Sequence, residues 1–316
     1  MKNSISNEVA ITILFATFKR DDILRKSLNG FLSLDTSGIS FEIIIVDNAC
    51  LESTKNIVNS YDLPITFLQC PTPGKNAAIN MGLAKVSGDY IVFTDDDIIP
   101  YPQWLQAYKS AFLNYDDVSI FCGGLIPSIT DWPSYIPIKD KNIIGAYCIK
   151  DMGAKDEEIL PVKIWGGNMA IKSDVFIGGV TFNQSVGPNG KDYIMGSETE
   201  LLARLQNQGF SGMYVANAKV IHQIRSEQLK LDWLKGRAFR QGKGNANYNI
   251  ENQLLDTNIN LLFNMPRYLV VRYIKDLLTY QLGKFFITSQ KRTSLMYSLN
   301  MKKGELLRLR EFFNNN

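Results

Sequence analysis

Residues 90–100 read YIVFTDDDIIP. A mostly apolar run enters three consecutive aspartates, Asp95, Asp96 and Asp97. Working outward toward the N-terminus, similar apolar runs recur. VAITILFATF (9–18) is a β-rich run. DDILRKSLNGFLSL (21–34) follows, with Leu24, Leu28, Phe31 and Leu32 at helical spacing and Asp21 and Asp22 as cap candidates. FEIIIVD (41–47) is a buried strand, STKNIVNSY (53–61) a short helix with Ser53 as N-cap, and ITFLQC (65–70) a third strand. GKNAAINMGLAKV (74–86) is a helix closed by the turn SGD, and YIVFT is the fourth strand. This βαβαβαβ rhythm, with strands apolar on both faces, predicts an α/β fold: a mostly parallel, doubly wound sheet with helices on both sides. Such sheets bind ligands beyond the carboxyl ends of their strands, which is where the aspartates fall.

Working outward toward the C-terminus, QWLQAYKSAFLNY (103–115) predicts a helix and VSIFCGGLIPSI (118–129) a strand with a paired glycine. Residues 131–158 mix Pro, Gly and both charges without a period and read as a long mobile loop near the site. Order resumes at VKIWGGNMAIKSDVF (162–176). SETELLARLQNQGF (197–210) is a helix with Leu201, Leu202 and Leu205 inward and Gly209 closing it. MYVANAKVIHQI (213–224) is a last strand region. LDWLKGRAFRQG (231–242) and the stretch 267–292 are basic amphipathic helices, and the final Asn run reads as disordered. The expected organisation is an α/β domain over 1–225, divided into halves 9–100 and 101–225. A basic helical extension covers 226–316.

The bulk numbers agree with a globular intracellular protein. The 316 residues are 45% hydrophobic and 21% charged, which argues against disorder. Four scattered cysteines without a CxxC pair argue against a disulfide framework or zinc knuckle. The net charge of +3 conceals an asymmetry: from residue 223 onward 16 Lys/Arg face 7 Asp/Glu. The remainder is acidic, fit for a metal, while the tail is basic, fit for phosphates or an anionic membrane. No apolar run approaches the roughly 20 residues of a spanning helix. The expected location is cytoplasmic, with peripheral contact on the inner face of the plasma membrane as an open reading. No nucleic-acid partner is expected.

Three adjacent carboxylates repel one another. At a strand end, Asp95 and Asp97 can point to one side, which suits Mg²⁺ or Mn²⁺ and leaves room for phosphate oxygens. A solvated acidic turn is the bland alternative. The stretch KVSGDYIVFTDDDIIPYPQWL (85–105) resembles the donor site of family 2 glycosyltransferases: a small-residue turn, GD, an apolar strand, a DxD cluster, then Pro and Trp-Leu. TILFATFKRDDILRKSL, FEIIIVDNA, CPTPGKNAAINMGL, IWGGNMAIKSDVF and GSETELLARLQNQGF are similar, in order, to further segments of that family. The resemblance spans residues 9 to about 225 and implies that 1–225 is the catalytic domain, with a nucleotide-sugar-binding half (9–100) and an acceptor half (101–225). It implies the GT-A fold, a nucleotide-sugar donor, a divalent metal and transfer with inversion.

Carried over by position, the resemblance implies that Thr17 and Arg20 open the donor pocket and that Asp47 accepts from the base, N3–H of uracil. Helix entry is the alternative for Asp47. Lys75 and Asn80 would serve the donor; Ile79 stands where the family commonly has Arg, and Lys75 supplies the cation instead. Asp95 would hold ribose or metal, Asp97 the metal and Asp96 a positioning role. Family members carry an acidic pair before the catalytic helix; here Ser197 replaces the first acid and Glu198 the second. Glu198 is the expected general base. Ser197 to Glu200 also fits an S-x-x-E capping box, with Glu198 near a helix N-terminus that favours its ionised form. His222, the single histidine, stands where relatives have a metal ligand; a hydrogen-bonded strand end is the plain alternative. Trp165 and Gly167 suit a sugar-facing wall, although Trp165 fits a core equally well. Arg237, Arg240 and Lys243 would close over the diphosphate or line a solvated helix face. In the last helix, Ile274, Leu277, Leu278, Leu282, Phe285 and Phe286 form a stripe with Arg272, Lys275 and Lys284 nearby. It reads either as membrane docking beside lipid-linked acceptors or as packing. The expected activity is metal-dependent transfer from a nucleotide sugar, a UDP-sugar, to a glycan or lipid-linked hydroxyl in cell-surface glycan synthesis. The alternatives are a nucleotidyltransferase or a catalytically inactive binding protein.

Overall fold

The computed structural model describes residues 9–190, 193–283 and 286–315. Along the chain run β1 (Val9–Thr17), α1 (Asp21–Phe31), β2 (Ile39–Asp47), α2 (Glu52–Val58), β3 (Ile65–Gln69) and α3 (Lys75–Leu83). Then come β4 (Tyr90–Thr94), β5 (Ile98–Pro100), α4 (Trp104–Asn114), β6 (Ile120–Pro127), α5 (Lys141–Ala146) and β7 (Glu157–Glu158). β8 (Asn168–Lys172), α6 (Ser197–Asn207), β9 (Gly212–His222) and α7 (Leu231–Glu251) follow. The chain closes with β10 (Leu261–Leu262), β11 (Met265–Pro266), α8 (Arg267–Leu282) and α9 (Ser289–Asn315).

The chain divides into two compact units. The first comprises residues 1–128, 148–184 and 197–223. It holds a nine-stranded sheet in the order β3-β2-β1-β4-β8-β6-β9-β5, with β7 also on β9. The four strands β3, β2, β1 and β4 run parallel, as do β6 and β9. β8 runs antiparallel to both β4 and β6.

Alternation along the strands feeds two cores. Ile11, Ile13 and Phe15 of β1 join Ile43 and Ile45 of β2 against Leu24, Leu28 and Phe31 of α1 and Trp104 and Leu105 of α4. Leu14, Ile44 and Val46 point the other way, onto Ala77, Ala78 and Ile79 of α3 and Leu201, Leu202 and Leu205 of α6. A strand buried on both faces favours apolar side chains along its length, and the aspartates of β2 and β4 gather at or just beyond the strand ends. The register sets Thr17 beside Asp47 and Leu14 beside Phe93, so the parallel strands finish together.

The second unit comprises residues 129–147, 185–196 and 224–316. Its helices α7 and α9 cross with backbone touching backbone. A Cβ on Gly242 would lie 1.8 Å from the Met301 carbonyl oxygen, and one on Gly304 would lie 2.0 Å from that of Phe239. Leu269 and Val270 of α8 pack with Ala246, Leu306 and Leu309. Tyr147 stacks on Trp233 and meets Trp132 edge-on.

Several local expectations are corrected. The segment 131–158 is not a continuous loop: it contains α5, capped by the Asp140 side chain, and β7. α2 starts at Glu52 behind Leu51, not at a Ser53 cap. The C-terminal asparagines Asn314 and Asn315 end α9 in helical conformation. Of the apolar stripe and its flanking cations, Lys284 and Phe285 lie outside the described residues.

Candidate active site

All of the acidic cluster belongs to the first unit. β4 ends at Thr94, and the antiparallel pairing of Ile98 with His222 brings the end of β9 alongside Asp97. His222 Nε2 lies 3.5 Å from Asp97 Oδ1, and both side chains are buried. Asp97 Oδ2 is 3.3 Å from Arg20 Nη1. The same Arg20 nitrogen donates to Asp96 at 2.9 Å, and Thr17 Oγ1 donates to the other Asp96 oxygen at 2.8 Å. The backbone is pinned as well: Ser27 Oγ donates to the Asp96 carbonyl at 2.7 Å and Gln223 N to that of Asp97 at 2.8 Å. Burial pushes the Asp96 carboxyl up to about 6; Arg20 opposes the rise, and Asp97 beside it adds to it.

The third aspartate faces elsewhere. Lys75 Nζ, on the first residue of α3, donates to Asp95 Oδ1 at 2.7 Å and to Glu198 Oε1 at 2.9 Å. Burial lowers the Lys75 pKa, but Asp95 and Glu198 outweigh it and hold the ammonium above its usual value. One fixed charge thus joins the aspartate cluster to the N-terminus of α6. The loop before β8 makes room for this. A Cβ on Gly166 would lie 2.1 Å from Glu198 Cγ, so the longer glutamate side chain occupies the space that a side chain at 166 would need. Gly167 presents its backbone to Asp95, its virtual Cβ 3.3 Å from Oδ2, and its carbonyl accepts from Thr94 Oγ1 at 2.9 Å.

Other expected residues take different partners. Asp47 is fully buried, and its two oxygens accept from the backbone N–H of Ala49 (2.8 Å) and Leu51 (2.6 Å), shaping the turn into α2. Asn80 exchanges two hydrogen bonds with the backbone of Phe182, at 2.8 and 2.9 Å, so its amide anchors that loop. Ile79 is core, which explains why no cation stands there. Trp165 is half-buried against the core shared by α1 and α4, with Lys150 Nζ 5.5 Å over its ring. Arg240 belongs to the second unit, its guanidinium 5.1 Å from the Tyr193 ring. The capping box does not form: Ser197 is itself helical with a buried, unpartnered hydroxyl, and Glu200 pairs with Arg204 at 2.7 Å.

Three further polar residues brace the site: Asn168 and Asn48, visible in the sequence but without an assigned partner, and Ser27, which sequence reasoning missed. Asn168 is fully buried and accepts from Trp104 Nε1 and Tyr108 Oη while donating to the carbonyls of Gly124 and Ala218. It locks β8 to its neighbours beside the cluster. Asn48 bonds the Cys70 and Thr72 carbonyls and the Gly74 N–H, which holds the loop leading into Lys75. Ser27 reaches the cluster from the middle of α1. For Ser27, a polar residue on an otherwise apolar helix face was the available signal.

Among the described residues, no group of three or more His, Cys, Asp or Glu side chains is gathered to hold a metal. The donors present still fit Mn²⁺ or Mg²⁺. Asp97 and His222 stand together and offer carboxylate oxygen and imidazole nitrogen. Such ions commonly take one or two protein ligands and complete their shell with water and substrate phosphate.

A mostly parallel sheet covered by helices on both faces, with an acidic cluster at its strand ends, matches the GT-A fold of glycosyltransferases. The model of glycosyl transferase family 2 matches residues 12–176, more than half of the chain, and the chain belongs to that family. It is 24% identical over 209 residues to a glucosyl-dolichyl phosphate glucuronosyltransferase of Haloferax volcanii, covering 64% of this chain and 65% of that protein. It is 32% identical over 116 residues to a hyaluronan synthase of Pasteurella multocida, covering 35% of this chain and 12% of that protein. The chain thus spans less than two thirds of the length of these relatives. A mannosyltransferase from Pyrobaculum calidifontis, solved with GDP-Man and Mn²⁺, superposes with a TM-score of 0.58 at 14% identity, over 94% of this chain and 86% of that one. S. aureus TarS 1-349 with UDP gives 0.52 at 11% identity, over 97% and 92%.

Proposed function

We propose that the chain is a glycosyltransferase that moves a sugar from a nucleotide sugar to an acceptor hydroxyl with inversion. The observation that carries this reading is Lys75, whose ammonium bridges the donor-side Asp95 and the base candidate Glu198. In this reading the donor site and the base meet at Lys75. Asp97 and His222 would hold a divalent cation, which when bound offsets the charge of the diphosphate. Arg20 holds Asp96 and Asp97 in place through its two ion pairs. The acceptor oxygen attacks the anomeric carbon, the bond to the diphosphate oxygen breaks, and the hydroxyl proton passes to Glu198. Nucleoside diphosphate leaves. Lys75 stabilises its negative charge as contact with Glu198 is given up.

Within this proposal the donor is a UDP-sugar and the acceptor a glycan or lipid-linked hydroxyl in cell-surface glycan synthesis, with the enzyme on the cytoplasmic side. Relatives named for a dolichyl phosphate acceptor and for hyaluronan support that acceptor class. Family membership sets aside the nucleotidyltransferase alternative. Ser197, where an acid is usual, leaves one rival: a binding protein without turnover. A thermal-shift panel of UDP, GDP and their sugars, with and without Mn²⁺, tests the donor site, since stabilisation follows affinity. Metal-dependent stabilisation by one nucleotide, followed by release of its diphosphate on turnover, is the expected result. Stabilisation without turnover on any acceptor favours the binding protein, and no stabilisation by any nucleotide removes the proposal.

A further inference from the structure

The second unit carries an exposed apolar surface that the reaction does not use. β10 and β11 form a hairpin with Leu262 paired to Met265, so its turn is Phe263 and Asn264, both at positive φ (55° and 58°). That turn favours Asn and Gly; a phenylalanine there is strained, and this one is 75% exposed instead of packed. The hairpin leads directly into α8. One face of α8 packs inward through Leu269 and Val270, while Tyr268, Val271, Ile274, Leu278 and Leu282 lie exposed along the other.

The charges on α8 are sorted in the same way. Its single acid, Asp276, is ion-paired with Lys302 of α9, and Arg272 at the rim lies close enough to Glu305 for its charge to favour that carboxylate. Arg267 and Lys275 stand among the exposed apolar residues and make no ion pair with any described residue. The exposed face therefore offers apolar side chains and cations but no carboxylate. That combination is complementary to an anionic interface with a hydrocarbon floor. It is poorly suited to self-pairing, because a two-fold contact would set Arg267 and Lys275 against a copy of the same face, which offers no carboxylate to pair with them. No helix among the described residues is long and apolar enough to cross a membrane.

We propose that the exposed face of α8, with Phe263 at the adjoining hairpin tip, docks the protein on an anionic lipid bilayer. The helix lies in the plane of the interface, its apolar residues below the headgroups and Arg267 and Lys275 among the lipid phosphates. This goes beyond the reaction proposed above and does not depend on it.

Co-sedimentation of the full chain tests it, using vesicles of phosphatidylcholine alone and vesicles doped with phosphatidylglycerol; no nucleotide or sugar enters the assay. Tighter binding to the doped vesicles, weakened by salt, is expected. Each cation near such a surface is worth roughly fivefold, so Arg267→Gln with Lys275→Gln should weaken that binding on the order of 20-fold. Leu278→Gln with Leu282→Gln should weaken binding to both vesicle types. Phe263→Asn, which relieves the turn and so guards against misfolding, should do the same. Failure to sediment, or equal sedimentation with both vesicle types, overturns the proposal. So does a dimer in solution that Leu278→Gln with Leu282→Gln converts to monomer without any vesicle binding.

Discussion

At the scale of single residues, Glu198 shows how one altered side chain is accommodated. Glutamate reaches one carbon further than aspartate, and Gly166 leaves the volume that this extra carbon fills. Gly166→Ala should therefore displace Glu198 from Lys75. The expected outcome is a fall in kcat of about tenfold or more at nearly unchanged donor affinity, checked by steady-state kinetics. The Gly-Gly-Asn motif was visible in the sequence, as were Asp95, Lys75 and Glu198. Their connection was not, because periodicity cannot say which of two loops approaches a lysine. Asp47 teaches the converse: an aspartate at a strand end reads alike whether it faces a ligand or two backbone amides, and here it holds Ala49 and Leu51.

At the scale of elements, local rules were legible where they had no competitor. The strand and helix alternation through residue 100 follows directly from apolar runs buried on both faces. The capping box at 197–200 failed because Arg204, four residues on, offers Glu200 a bidentate partner that a backbone N–H does not match. α5 escaped notice because six residues are too few to display a period. Glu42 joins three elements: one oxygen accepts from Thr12 of β1 (2.6 Å) and from Ser87 N (2.9 Å) and Oγ (2.8 Å) before β4. Burial alone would raise its pKa, yet these hydrogen bonds leave it below the usual value. A depressed carboxylate stabilises the fold above its unfolded pKa and loses that contribution as pH falls through its folded value. Glu42→Gln should thus cost about 1–2 kcal/mol at pH 7 and approach zero cost in acid below the usual carboxylate range, read from urea unfolding across pH.

At the scale of the whole molecule, the charge asymmetry was plain in the sequence, but the grouping of residues 129–147 and 185–196 with the C-terminal helices was not. Contacts between segments far apart in the chain leave no periodic trace. Within the second unit, Gly242 and Gly304 set the closest approach of α7 and α9. Gly304→Ala should force these helices apart and cost about 1–3 kcal/mol, with faster amide exchange in α7 and α9 as the check. The proposed transfer rests on Glu198, at the mouth of the acidic cluster, acting as base. The most direct measurement compares wild type and Glu198→Gln for donor affinity by calorimetry and for transfer rate to the acceptor. A loss of transfer on the order of 10²- to 10⁴-fold with donor affinity retained is predicted. Wild-type transfer by the Glu198→Gln protein would contradict it.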